Sequence, residues 1–208
     1  MNDLTDEQVD RALARLGNYR VRRVQAVANA GLPDGISGAL LLALGLRETG
    51  LQNVEGGAKW DVIREKWIPQ DDPNLMDVGV FQISRKYHML DLQKMIGVKS
   101  GTWTPVVITA TAATPGFVPR FEESLQYVLM EMHENMALLE NSVLDPDRDL
   151  VQAAVAAHNA GVGGSAKGYR EGDVDKYTAG GDYSEWVFRH RTKVNRWLKD
   201  HPKWLVQA

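Results

Sequence analysis

The chain has 208 residues, 44% of them hydrophobic, with a formal net charge of −3. That size suits one well-packed domain, possibly with an appendage, and the charge offers no basic footprint for nucleic acid. The absence of Cys removes disulfides, Cys-based zinc sites and thiol nucleophiles together, and the longest apolar run, about a dozen residues, is too short to cross a bilayer.

The opening stretch from Met1 to Glu7 is acidic and polar, without an apolar core, so no signal peptide is expected there. Thr5 with Gln8 forms a capping box and predicts a helix to about Leu16, which Gly17-Asn18 breaks. A second helix is predicted from about Tyr19 to Ala30, with Val21, Val24, Val27 and Ala28 on one side. Arg20, Arg22 and Arg23 lie mostly off that face and read as a solvated surface. Residues 1–35 thus form a helical extension ahead of a core spanning 36–200.

The core is organised around Gly38-Ala39-Leu40-Leu41-Leu42-Ala43-Leu44-Gly45-Leu46-Arg47-Glu48-Thr49-Gly50. Ala and Leu favour helix, Ser37 can cap the start, and Gly50 can end it. A helix apolar on every side is a buried one. Glu48 then falls in the last turn of a buried helix, where desolvation and the negative end of the helix dipole both disfavour its charged form. Such a carboxyl is a candidate general acid near neutral pH, although a Glu at a helix end can equally serve as an ion-pair partner.

Residues 51–76 read as a long irregular segment with Asn53, Gly56, Gly57, Pro69 and Pro73 as turn formers. Trp60 and Trp67 fit pinning of that loop better than sugar stacking, and Asp61, Asp71 and Asp72 lack EF-hand spacing. Asp77 to Ser84 is a short strand or turn, with Gly79 where backbone must come close to something. A helix is predicted from about Ser84 to Ile96, carrying His88, and an extended excursion over 97–120. An amphipathic helix follows to about Asn141, through Phe121, Leu125, Val128, Leu129, Met132, Met136 and Leu139. Another, opened by Asp145-Pro146-Asp147, runs to about Ala157 and leads into His158-Asn159-Ala160-Gly161. A glycine-rich loop to Gly181 and a last helix to about Asp200 complete the chain. The fold class expected is mainly α, a helical bundle around the buried helix with a small β excursion.

Four pieces fall in order: Glu48-Thr49-Gly50, Gly79-Val80-Phe81-Gln82, His158-Asn159-Ala160-Gly161, and Tyr183 near the last helix. Together they resemble the lysozyme superfamily of peptidoglycan-cleaving enzymes, and most of all goose-type lysozymes and lytic transglycosylases. The likeness covers roughly residues 36–198. It departs in two places: His158 stands where the Asn-Ala-Gly motif ordinarily carries Tyr, and Ser84 where the goose-type pattern tends to place a carboxylate. Asp77-x-Gly79-x-x-Gln82-Ile83 instead resembles the hen-type pattern, in which that Asp is the second catalytic carboxylate.

The resemblance implies a lysozyme-like fold and cleavage of the β-1,4 bond between N-acetylmuramic acid and N-acetylglucosamine. Glu48 would protonate the bridging oxygen, and Asp77 would stabilise the cation, attack it, or hold a water. Carboxyls about 5 Å apart imply retention and about 6.5–9.5 Å inversion. Attack by the sugar's own 6-hydroxyl would be the transglycosylase outcome. Gly79, Phe81, Gln82, His158, Asn159 and Tyr183 are the expected substrate contacts, with structural roles for Gln82 and Asn159 the alternative. Asp61 and Asp72 are reserves for the second carboxylate, and His88 fits a structural or cleft-edge place. The expected partner is the peptidoglycan glycan strand, which Arg20, Arg22 and Arg23 would also suit; no nucleic acid, membrane insertion, metal or cofactor is expected. Action at the bacterial wall, as a phage lysin or a virion component, fits the lack of a leader, and a monomer is expected unless the protein is part of a virion. A non-catalytic wall-binding module and a chitin-cleaving enzyme are the other readings.

Overall fold

The computed structural model describes residues 3–29, 35–53, 55–56, 58–61, 66–69, 77–84, 88, 119–142 and 149–205. The protein is mainly helical with a small β excursion. Among the described residues the helices are α1 (Asp6–Leu16), α2 (Asn18–Asn29), α3 (Gly38–Thr49), α4 (Phe121–Ser142), α5 (Leu150–Arg170) and α6 (Tyr183–Asp200), closed by a short 3-10 turn, Pro202–Trp204. None of them is long and apolar enough to cross a membrane. The chain divides into two compact units, Met1–Leu51 with Leu129–Ala208, and Gln52–Val128.

The first unit is built on α3. Ala39 to Leu46 are all buried on every side of this helix, as an apolar run without a polar stripe requires. Ser37 accepts a hydrogen bond from Leu40 N at 3.2 Å, and Gly50 closes the other end in the left-handed conformation. α3 packs on α2 and α6, and α6 packs in turn on α5 and α1. α2 lies so close to α3 that a Cβ on Gly38 would meet Gln25 Cα at 2.7 Å. The first two helices are therefore laid directly on the core helix and its neighbour. The Thr5–Gln8 capping box is formed, and Val9, Ala12, Leu13 and Leu16 turn inward.

His190 ties the start of the chain to α6. Its ring stacks on Trp186 with centroids 3.5 Å apart, Nδ1 donates to Trp186 O at 2.9 Å, and Nε2 accepts from Leu4 N at 3.0 Å. This pattern needs the neutral imidazole, and burial pushes its pKa below the ordinary 6.5. In the unfolded chain the same group protonates at the ordinary value. Its contribution is thus complete above 6.5 and is lost as pH falls from there toward the folded pKa. Denaturant unfolding of the wild type and His190→Gln, followed from about pH 7.5 to about pH 5.5, is expected to show a stability gap that narrows with acid. A gap that stays constant would remove His190 from the pH dependence.

In the second unit, β1 (Glu55–Gly56), β4 (Asp77–Val78) and β5 (Ile83–Ser84) form an antiparallel sheet in the order β1-β4-β5. Asp77 stands opposite Gly56 on one side and Ser84 on the other. β2 (Ala58–Asp61) and β3 (Lys66–Pro69) form a separate antiparallel pair, with Trp60 in register with Trp67. The irregular reading of 51–76 is corrected here: turn formers flank two short extended runs whose aromatic and β-branched residues favour pairing. The predicted helix over 84–96 and the excursion over 97–120 fall largely outside the described residues. Of these, Ser84 ends β5, and His88 sits in a turn with its N–H on Ser84 O at 2.8 Å.

α4 matches the predicted amphipathic helix, with Phe121, Leu125, Val128, Leu129, Met132 and Leu139 buried. α5 departs from expectation at both ends. Its cap is Asp149, which accepts from Gln152 N at 3.1 Å, and it continues to Arg170 instead of stopping near Ala157. The glycines after His158 interrupt it only at Gly161, whose φ of 71° and ψ of 160° break the helical path for one residue. A side chain there would be strained, which is why the motif carries glycine at that position.

Candidate active site

Glu48 stands in the last turn of α3, half-buried. The Tyr183 hydroxyl, from the first residue of α6, donates a short hydrogen bond to Glu48 Oε1. Tyr183 is itself buried, and that burial, followed by the negative charge and hydrogen bond of Glu48, pushes its phenol well above the ordinary 10.0. Tyr183 consequently keeps its proton throughout the working pH range and remains a donor to the carboxyl.

The preceding residue, Arg47, is buried as well, and its Nη2 contacts Asp182 Oδ1 at 3.0 Å. Its guanidinium lies over the rings of Tyr183 and Trp186, 5.2 and 5.3 Å from their centroids. Asp182 precedes α6 but makes no side-chain cap bond to it. That task falls to Asp175, seven residues earlier in sequence number and also buried. Its carboxylate accepts from Ser184 N at 2.8 Å, Glu185 N at 3.0 Å and Ser184 Oγ at 2.7 Å. The start of α6, and with it Tyr183, is held by a carboxylate reaching back from the loop.

His158 is closed off, its side chain 6% exposed, and Nδ1 donates to Glu131 Oε2 on α4 at 2.7 Å. Asn159, one residue on, is exposed, and its Oδ1 accepts from Ala179 N at 2.7 Å, fastening the loop between α5 and α6 to the kinked helix. Glu48, Tyr183, Glu131, His158 and Asn159 all belong to the first unit. A polar pocket of about 400 Å³ lies in the same unit, lined by Asp149, Gln152, Asp173, Asp175 and Glu185 among others, and neither Glu48 nor Tyr183 lines it.

The remaining expected site residues belong to the second unit. Asp77, in β4, is half-buried. Gly79 has a φ of 84°, and a Cβ there would meet Ser124 Oγ at 2.5 Å, so the close approach expected at this glycine is to α4. Phe81 is buried, 1% exposed, and occupies a packing position instead of an accessible surface. Gln82 donates from Nε2 to Gly79 O at 3.1 Å and so fastens its own turn. His88 lies beside Tyr127, ring centroids 5.8 Å apart. Asp61 is in β2, with its side chain outside the described residues, as is all of Asp72. Among the described residues no group of three or more His, Asp or Glu is arranged to hold a metal ion.

Sequence reasoning missed Glu131 and Asp175. Glu131 reads as one charge on an amphipathic helix, and its partner lies 27 residues away on another helix. Asp175 sits in a glycine-rich stretch where a carboxylate commonly turns the chain. No protein-family model matches this chain, and no curated protein matches it in sequence.

Proposed function

We propose that this protein is a peptidoglycan-degrading glycosidase with Glu48 as its general acid. The observation that supports this reading best is the hydrogen bond from buried Tyr183 to a half-buried carboxyl in the last turn of a helix that is buried from Gly38 to Arg47. A proton donor for a glycosidic oxygen must be held in one orientation, and the rigid α3 with the Tyr183 hydroxyl supplies that restraint. In the proposed reaction Glu48 gives its proton to the bridging oxygen as the bond to the muramic acid anomeric carbon breaks. The oxocarbenium-like sugar is then captured by water, or by its own 6-hydroxyl, with release of a proton. Asp77 is the second carboxylate proposed for stabilising the cation or holding the water.

The test is digestion of purified sacculi followed by mass spectrometry of the soluble muropeptides. Reducing muramic acid ends are expected for hydrolysis, and ends lighter by one water identify the anhydro-forming reaction. Folded protein that releases neither product, while still sedimenting with the wall, would replace the glycosidase reading with a wall-binding one.

A further inference from the structure

Five exposed arginines fall within the thirteen residues from Arg11 to Arg23, and no Asp or Glu lies between Arg11 and Pro33. The chain as a whole carries −3, so its charge is strongly segregated here. α2 turns Val21, Val24, Gln25 and Ala28 inward. At helical spacing the opposite face is centred on Tyr19, 71% exposed, with Arg22 and Arg23 one turn on and to either side of it. Two other elements border that face. Arg15 of α1 donates from Nη2 to Gly50 O at 2.6 Å, which puts it at the end of α3, just past Glu48. Asn18, at the head of α2, donates to Lys203 O at 3.5 Å and brings exposed Lys203 alongside. The placement of the cations works against the helix that carries them. Arg20, Arg22 and Arg23 lie in the first half of α2, where the dipole favours anions, and its first turn holds no acidic residue. Arg20 and Arg23 are like charges one turn apart. Among the described residues Arg22 and Arg23 have no carboxylate at ion-pair distance.

We propose that this face of α2, with Arg15 and Lys203 at its borders, binds a phosphodiester-linked polyol polymer carried by the cell wall. The segment from Arg11 to Arg23 holds arginine and no lysine. A guanidinium offers a phosphate two parallel donors, and arginines on one helix face can meet successive phosphates of a flexible strand. Tyr19 between them supplies an aromatic surface and a hydroxyl for the polyol links. A membrane surface fits less well, because Tyr19 is the one large apolar side chain among the exposed residues described on α2, with none to enter the acyl region. A long duplex of nucleic acid fits less well, because the rest of the chain is acidic and would repel it. The proposal rests on the reading that the protein works at the wall, where such a polymer is joined to the glycan that Glu48 is proposed to cut.

The test is isothermal titration of the full chain with soluble poly(glycerol phosphate). Binding that weakens as salt is raised is expected. Arg22→Gln/Arg23→Gln is expected to weaken it about tenfold at low salt, since each exposed arginine–phosphate pair contributes modestly. Arg170→Gln/Arg191→Gln removes the same charge from outside the face and is expected to bind as the wild type does. No binding, indifference to salt, or an equal loss in both double variants overturns the proposal. Tighter binding to duplex DNA or to phosphatidylglycerol vesicles at equal phosphate also overturns it and assigns the face to that partner. Arg22 and Arg23 are exposed, so their double variant is expected to unfold at the wild-type temperature; should it not fold, the salt dependence and the ranking of the three ligands still decide. Polymer binding without muropeptide release from sacculi would sustain the face and fail the glycosidase. Muropeptide release from sacculi stripped of phosphodiester polymer, with no polymer binding, would sustain the glycosidase and fail the face.

Discussion

Glu48→Gln is expected to lower the rate of peptidoglycan cleavage by about 10²- to 10⁴-fold, the usual worth of a positioned general acid. The amide keeps a carbonyl oxygen where Oε1 accepts from Tyr183, so the contact at the head of α6 survives. Thermal unfolding and sedimentation with the wall are accordingly expected to match the wild type. Only the transferable proton is removed. Glu48→Ala is a different experiment, because it leaves the buried Tyr183 hydroxyl without this acceptor, a loss of roughly 1–3 kcal/mol. Cleavage by the Gln variant at the wild-type rate would remove Glu48 from the chemistry altogether.

The largest effect on stability is expected at Asp175, a residue with no place in the proposed reaction. Its carboxylate takes two backbone N–H groups from the first turn of α6 and the buried hydroxyl of Ser184. Thr178 Oγ1 lies 3.3 Å from the same carboxylate. Truncation removes a helix cap and leaves several buried donors without this partner, so Asp175→Ala is expected to destabilise the protein by about 3 kcal/mol. Asp175→Asn retains one carbonyl acceptor and should lose about half as much. Urea unfolding midpoints measure both changes. A loss below about 1 kcal/mol in the Ala variant would mean that water or Asp182 takes over the cap. Because Tyr183 opens α6, any fraying in Asp175→Ala should also lower activity at temperatures where the protein remains folded.

What could be read from the sequence was local. Ser37, the uninterrupted Ala-Leu run and Gly50 each act within a few residues of themselves, and together they set both ends and the burial of α3. The Thr5–Gln8 box and the inward stripe of α4 are legible for the same reason. Errors arose where one local signal had two outcomes. The glycines after His158 suggested a helix end, yet a single residue in a left-handed region let α5 resume its path. The prolines and glycines of 51–76 hid a pair of short strands. Contacts between distant elements left no local trace: Asp175 to Ser184, and Glu131 to His158. Burial alone points to Glu48 and the resemblance alone to Tyr183, and the structure joins the two across 135 positions.

Two successive residues of α3 grip two successive residues at the head of α6: Arg47 takes Asp182, and Glu48 takes Tyr183. The double stitch means that α6 cannot slide or turn without disturbing both contacts together. The aim of the carboxyl is thereby indexed to the length of the connection running from Arg170 to Asp182, and adding or deleting a residue there should retune it more than any recharging of the surface. Anyone transplanting this carboxyl into another scaffold would need to carry the four side chains as one cassette.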